Sequence, residues 1–172
     1  ARLPGSAPDR ATRPALLLAT HYDSGKMTLG AARSALPVAA LLETARALAA
    51  GQTPRNDIVM LFADGEEVGA LGAQGFAERH PLARQVGLAL RFDSMGSGGP
   101  LMLLDASNAG GSVLNVLPDA APGVEGSSLL AGLYRLRPET PRIGPLGRLG
   151  APALLFANTG KPFDGERTLG TV

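Results

Sequence analysis

A chain of 172 residues that is 45% hydrophobic has enough apolar material for one globular domain burying roughly two thirds of its unfolded surface. Sixteen Lys plus Arg against fifteen Asp plus Glu leave a formal charge of +1, with no basic block and only 4% aromatic residues to stack on bases, which speaks against nucleic acid as a partner. Cysteine is absent, so disulfides and thiolate metal sites are excluded and any metal has to be held by His and carboxylates.

The amino end, "ARLPGSAPDR", lacks the charged-then-apolar layout of a signal peptide. No apolar run approaches the roughly 20 residues of a bilayer-spanning helix, so the chain as it stands reads as soluble. "ALLLAT" (15–20) predicts the first strand. After it, Val38, Leu41, Leu42, Ala45, Leu48 and Ala49 recur at helical spacing, with Pro37 in the first turn and Gly51 as the stop. "IVMLFA" (58–63) predicts a second strand, and a helix is expected from about Gly69 to Arg79, ending before Pro81. "VGLALRF" (86–92) and "LMLL" (101–104) predict two more strands. A third helix is expected from Ser127 or Ser128, through Leu130, Leu133 and Tyr134, to about Arg137 before Pro138, and "PALLFA" (152–157) predicts a last strand. The 23 Gly and 14 Pro crowd 96–123 and 138–152, which read as loops, and no repeat is apparent. Near-continuous apolar strands alternating with helices predict an α/β fold, a mixed, largely parallel sheet sandwiched by helices, in a single domain over residues 1–172.

Three motifs fall at the carboxyl ends of predicted strands, where open α/β sheets place their ligand crevice: "THYDS" with His21 and Asp23, "ADGEEVG" with Asp64, Glu66 and Glu67, and "RFDSMG" with Asp93. Singly each reads as structural, His21 as a core histidine and the Glu pair as the start of a helix. Together, an imidazole nitrogen and carboxylate oxygens make a zinc shell, and adjacent glutamates can divide the tasks of ligand and general base.

With "HYDS", "RNDIVMLFADGEEVGALGAQGFAERHP" and "FDSMGSGGP" on the page, the chain resembles the zinc aminopeptidase-like peptidases of clan MH, which include glutaminyl cyclases. "SSLLAGLYRLRPET" and "LGAPALLFANTG" add to the resemblance, particularly to bacterial and membrane-anchored members whose peptidase domain faces away from the cytosol. The resemblance implies a zinc aminopeptidase-like (phosphorylase/hydrolase-like) sandwich, here truncated at both ends: beginning inside an early strand and stopping before a closing helix. It also implies two zinc ions sharing a bridging Asp. Carried over, His21, Glu67 and Asp93 match metal ligands, Glu66 matches the general base, and Asp23 matches the carboxylate that orients His21.

Two ligand positions depart from the family pattern. The bridging Asp belongs to "GAxDxxSG", and this chain has "GAARSALP" with Arg33 at the ligand position. The carboxyl-terminal His belongs to "YHTxxDT", whose counterpart is "ERTLGT" with Arg167 in its place, and no His follows His80. One zinc would then keep only His21 and Glu67 and the other only Asp93, whereas catalytic zinc takes three protein ligands. His80, in "ERHP" at a helix end, is not expected to substitute.

Carboxylates crowded together without a cation raise one another's pKa or force a site open. Two guanidiniums in place of two zinc ions, with one carboxylate and the bridging hydroxide gone, leave the same net charge, and guanidinium pairs with carboxylates bidentately. Nucleophile-elbow, Walker A and dinucleotide-binding glycine motifs are lacking. The expectation is a pseudopeptidase domain with no zinc at full occupancy, a structural or binding element against other polypeptide or subunits of a larger assembly, extracytoplasmic or at a membrane. The alternative is a zinc aminopeptidase with a weakened or single-metal site, or one whose missing ligands come from another chain.

Overall fold

The computed structural model describes residues 1–25, 30–94, 98–107, 111–126, 132, 136 and 142–158. Among them, seven strands are β1 Arg2–Leu3, β2 Ala15–His21, β3 Ile58–Ala63, β4 Val86–Ser94, β5 Leu101–Ala106, β6 Val124–Gly126 and β7 Ala153–Asn158. Among the described residues the longer helices are α1 Leu36–Ala50 and α2 Leu71–Arg79, and two four-residue helices stand at Gly111–Leu114 and Leu117–Ala120. One sheet has the order β1-β3-β2-β4-β7-β5-β6. The pairs β2–β3, β2–β4, β4–β7 and β5–β6 are parallel, and β1–β3 and β5–β7 antiparallel, as a mixed, largely parallel α/β sheet requires.

The central strands are apolar on both faces because both are covered. On one face Leu17, Val59, Ala89 and Ala153 pack against Ala73 and Phe76 of α2 and Leu146 of the short turn Gly144–Arg148. On the other, Leu18, Ile58 and Met60 pack against Leu41, with Ala45 and Leu48 alongside on α1. Pro37 stands in the first turn of α1 and Gly51 closes it. α2 starts at Leu71, two residues after the expected Gly69, because Gly65, Gly69 and Ala70 are left-handed and keep the chain turning until then. The third expected helix lies almost wholly outside the described residues.

β1 and β6, of two and three residues, escape sequence reading because they are too short to show a period. β1 is held by Asp57, just before β3. Its carboxylate accepts from the guanidinium of Arg2 and, at 2.6 Å, from the backbone N–H of Gly5.

Candidate functional site

Parallel pairing of β2 with β3 and β4 brings the three motifs to one end of the sheet, with His21 level with Ala63 at the end of β3 and Asp93 near the end of β4. After β3, Gly65 adopts a left-handed φ of 71° that turns Glu66–Val68 back over the strand ends. The turn is pinned by Gly72. A Cβ there would lie 2.6 Å from the Asp64 carbonyl oxygen, which accepts the Gly72 N–H at 2.9 Å.

His21, 1% exposed, places Nδ1 3.0 Å from the Asp23 carbonyl oxygen and 3.4 Å from Asp23 Oδ1. Its Nε2 faces Asp93 Oδ1 at 3.5 Å and, among the described residues, makes no hydrogen bond. Asp23 Oδ2 in turn accepts the backbone N–H of Glu67 at 3.0 Å. Asp23, drawn from the sequence as the orienter of His21, therefore lies beside it and also ties it to the Glu66–Glu67 turn.

The glutamates face cations. Arg33 sits in a single π-helical turn, Ala31–Ala35, that leads into α1, and its Nε is 3.1 Å from Glu67 Oε1. The neighbouring Ser34 hydroxyl donates to the Asp23 carbonyl at 2.6 Å. Glu66 Oε1 is 2.7 Å from Nη2 of Arg91, and the same nitrogen donates to Asp93 Oδ2 at 3.2 Å.

Arg91 is a site residue that sequence reading missed. It is 3% exposed in the middle of β4. The available signal was a lone charge inside "VGLALRF", two residues before Asp93 and so on the same face of the strand. Arg167 lies outside the described residues. His80 is at the far end of α2, stacked on Phe76 with ring centroids 5.2 Å apart, and takes no part in the site.

Electrostatics follow from these contacts. Burial pushes the Asp93 carboxyl up, but His21 and Arg91 beside it outweigh that and hold its pKa below the usual carboxylate value. Burial disfavours charge on His21, but Asp93 and Glu66 outweigh it and raise its pKa. Asp23, raised by burial, is brought below its usual value mainly by the backbone N–H groups of Glu67 and Glu66. Alongside lies an open cleft of about 800 Å³ whose lining includes Asp23, Asp64, Glu67, Val68 and Leu71.

Zinc fits this arrangement in one respect only. His21 has the form of a ligand, Nδ1 anchored on Asp23 and Nε2 buried without a hydrogen bond among the described residues. Among the described residues, however, no three His, Asp or Glu side chains are gathered to hold a metal, and Glu67, Glu66 and Asp93 are engaged by guanidiniums. The described residues as they stand do not make the three-ligand shell of a catalytic zinc.

The model of Peptidase family M28 matches residues 1–135. Among curated proteins, the vacuolar membrane protease of Candida dubliniensis is 36% identical over 100 residues, 58% of this chain and 11% of that protein. The Candida albicans protein of the same name is 39% identical over 99 residues, 58% of this chain and 12% of the relative. The chain thus spans about a tenth of the curated relatives it matches. Among solved structures, a glutaminyl cyclase from an Acidobacteriales bacterium superposes with TM-score 0.65 at 18% identity, over 99% of this chain and 62% of that one. A zinc aminopeptidase from Bacillus subtilis gives TM-score 0.63 at 15% identity, over 89% of this chain and 38% of that one. At these identities the two structures speak to the fold.

Proposed function

The chain belongs to peptidase family M28, and from that premise we propose that it is a pseudopeptidase domain: a peptidase fold in which guanidinium groups have taken over the charge balance of a dizinc centre, retained for binding or structure. The observation that carries this reading is the pairing of Arg33 with Glu67 and of Arg91 with Glu66 and Asp93. A glutamate held by Arg91 at 2.7 Å is a poor general base, because proton abstraction would give up its ion pair. In this reading Glu66 is idle, and zinc is not held at full occupancy.

One observation favours a second reading, a zinc aminopeptidase with a single weakened site. The buried Nε2 of His21, with Nδ1 anchored on Asp23, has no hydrogen bond among the described residues, as suits a metal ligand. Elemental analysis and turnover decide between the two. Dialysed protein is expected to contain far less than one zinc per chain and to leave aminoacyl anilides uncleaved. Stoichiometric zinc that disappears in Glu67→Ala, or hydrolysis abolished by Glu66→Gln, would establish the second reading.

The relatives called vacuolar membrane protease support a location at a membrane, within a larger protein or assembly whose other polypeptide is this domain's partner. Among the described residues no helix is long and apolar enough to cross a membrane, so in this proposal the attachment comes from elsewhere or acts at the surface.

A further inference from the structure

Arginines that are scattered along the sequence are gathered by the topology at the end of the sheet opposite the candidate site. Parallel β2, β3 and β4 all begin there, and each is preceded within a few residues by arginine: Arg10 and Arg13 before Ala15, Arg55 before Ile58, Arg84 before Val86. The approach loops touch. Asn56 donates to the Pro14 carbonyl at 2.8 Å, and a Cβ on Gly87 would lie 2.2 Å from Pro14 Cβ. α2 runs back from the site and ends at the same pole with Arg79.

The acids at this pole are already engaged. Asp57 is buried and bound by Arg2, Asp9 pairs with Arg13 at 2.7 Å, and Glu78 faces Arg148 at 3.9 Å. Arg10, Arg55, Arg79 and Arg84 are exposed and, among the described residues, form no ion pair. Arg55 acts on Asp9 and Arg10 on Asp57 electrostatically, which places those two cations at one cluster. A chain with a net charge of only +1 is therefore polar, acidic at the candidate site and basic at the far pole.

We infer that this basic pole is a docking surface for an anionic bilayer, with Arg10, Arg55, Arg79 and Arg84 as the groups that meet lipid headgroups. Four guanidiniums borne by loops and a helix end, unpaired and with no acid left free between them among the described residues, suit a surface of diffuse negative charge, where each basic residue is worth roughly a fivefold gain in partition. The segments 8–14, 52–57 and 79–86 contain no Phe, Tyr or Trp, so the stacking platform on which single-stranded nucleic acid is bound is missing. The choice of a bilayer rests in part on the membrane location proposed above. The surface itself does not depend on the pseudopeptidase reading, whose tests are zinc content and turnover.

Co-sedimentation of the full 172-residue chain with vesicles tests the inference. Vesicles of phosphatidylcholine mixed with phosphatidylserine are expected to bind the chain roughly tenfold or more above pure phosphatidylcholine at low salt, with the difference fading as salt is raised. The variant carrying Arg10→Gln, Arg55→Gln, Arg79→Gln and Arg84→Gln is expected to lose that preference. Lysine at the same four positions keeps it, and supplies the comparison should the glutamine variant fail to fold. Equal binding to both vesicle types, no binding to either, binding insensitive to salt, an undiminished folded glutamine variant, or capture by duplex DNA in preference to the anionic vesicles would each overturn it. A failure here, combined with membrane recovery of the complete protein from cells, would remove the basic pole while leaving the membrane location standing.

Discussion

Arg91 stands where an apolar strand ordinarily places a valine or leucine, and its charge is tolerable there only because Glu66 and Asp93 meet it. The reverse also holds. Asp93, 4% exposed, has no other fully charged cation within contact among the described residues and leans on His21 for the rest. Truncating one member of such a group leaves the others buried and uncompensated, which costs about 3–5 kcal/mol. Arg91→Met is therefore expected to lower unfolding free energy by about that amount in urea denaturation. The triple variant Arg91→Met, Glu66→Gln, Asp93→Asn should recover most of the loss, since it removes the charges together. A loss below about 1 kcal/mol in the single variant would mean that the buried network does not hold the carboxylates. Residue-level legibility followed the same physics. His21, Glu66, Glu67 and Asp93 were visible because their types and their positions after strands are chemically distinctive. Arg91 was not, because sequence alone does not say what a charged side chain in a covered strand will face.

At the scale of elements, β3 joins the N-terminal segment to the sheet through Asp57. The backbone N–H of Gly5 and the Arg2 guanidinium, together outweighing burial, hold its carboxyl below the usual value. A carboxyl whose folded pKa is depressed binds fewer protons in the folded than in the unfolded chain. Its contribution is thus complete above the ordinary value of 3.8 and is lost as the pH falls through the lower folded value. Asp93 and Asp23 shift in the same direction, so the whole chain is expected to weaken in acid. Asp57→Asn should flatten that dependence between about pH 5 and about pH 2, followed as the urea midpoint at each pH; an unchanged slope would show that Asp57 titrates alike in both states. The five longer strands and α1 were readable because a strand covered on both faces is apolar throughout and α1 buries one stripe against it. β1 owes its existence to Asp57 and to pairing with β3, neither of which leaves a local pattern. The π-helical turn at Ala31–Ala35 is likewise set by tertiary contacts, Ser34 to Asp23 and Arg33 to Glu67.

On the scale of the whole molecule, the proposed partner has a place to act at the sheet's edge. Met60 exchanges hydrogen bonds with Ala1, its N–H to the Ala1 carbonyl at 2.9 Å and its carbonyl to the amino terminus at 2.8 Å. Strand alternation points the N–H and carbonyl of Phe62, two residues on, to the same outer side, where no strand among the described residues meets them. An uncovered edge of this kind invites pairing with another chain. At the centre, β2, β4 and β7 are flanked on both sides, and Leu17, Ala89 and Leu154 are fully buried. Amide exchange on the 172-residue chain alone should therefore be slowest in β2, β4 and β7 and fast at Phe62, and light scattering should show self-association as concentration rises. Polypeptide that docks on this edge would slow Phe62 selectively and suppress the association without changing the central strands. A monomer at all concentrations whose Phe62 amide is as protected as those of β2 would mean that the edge is already closed, and the partner would have to be sought on another face.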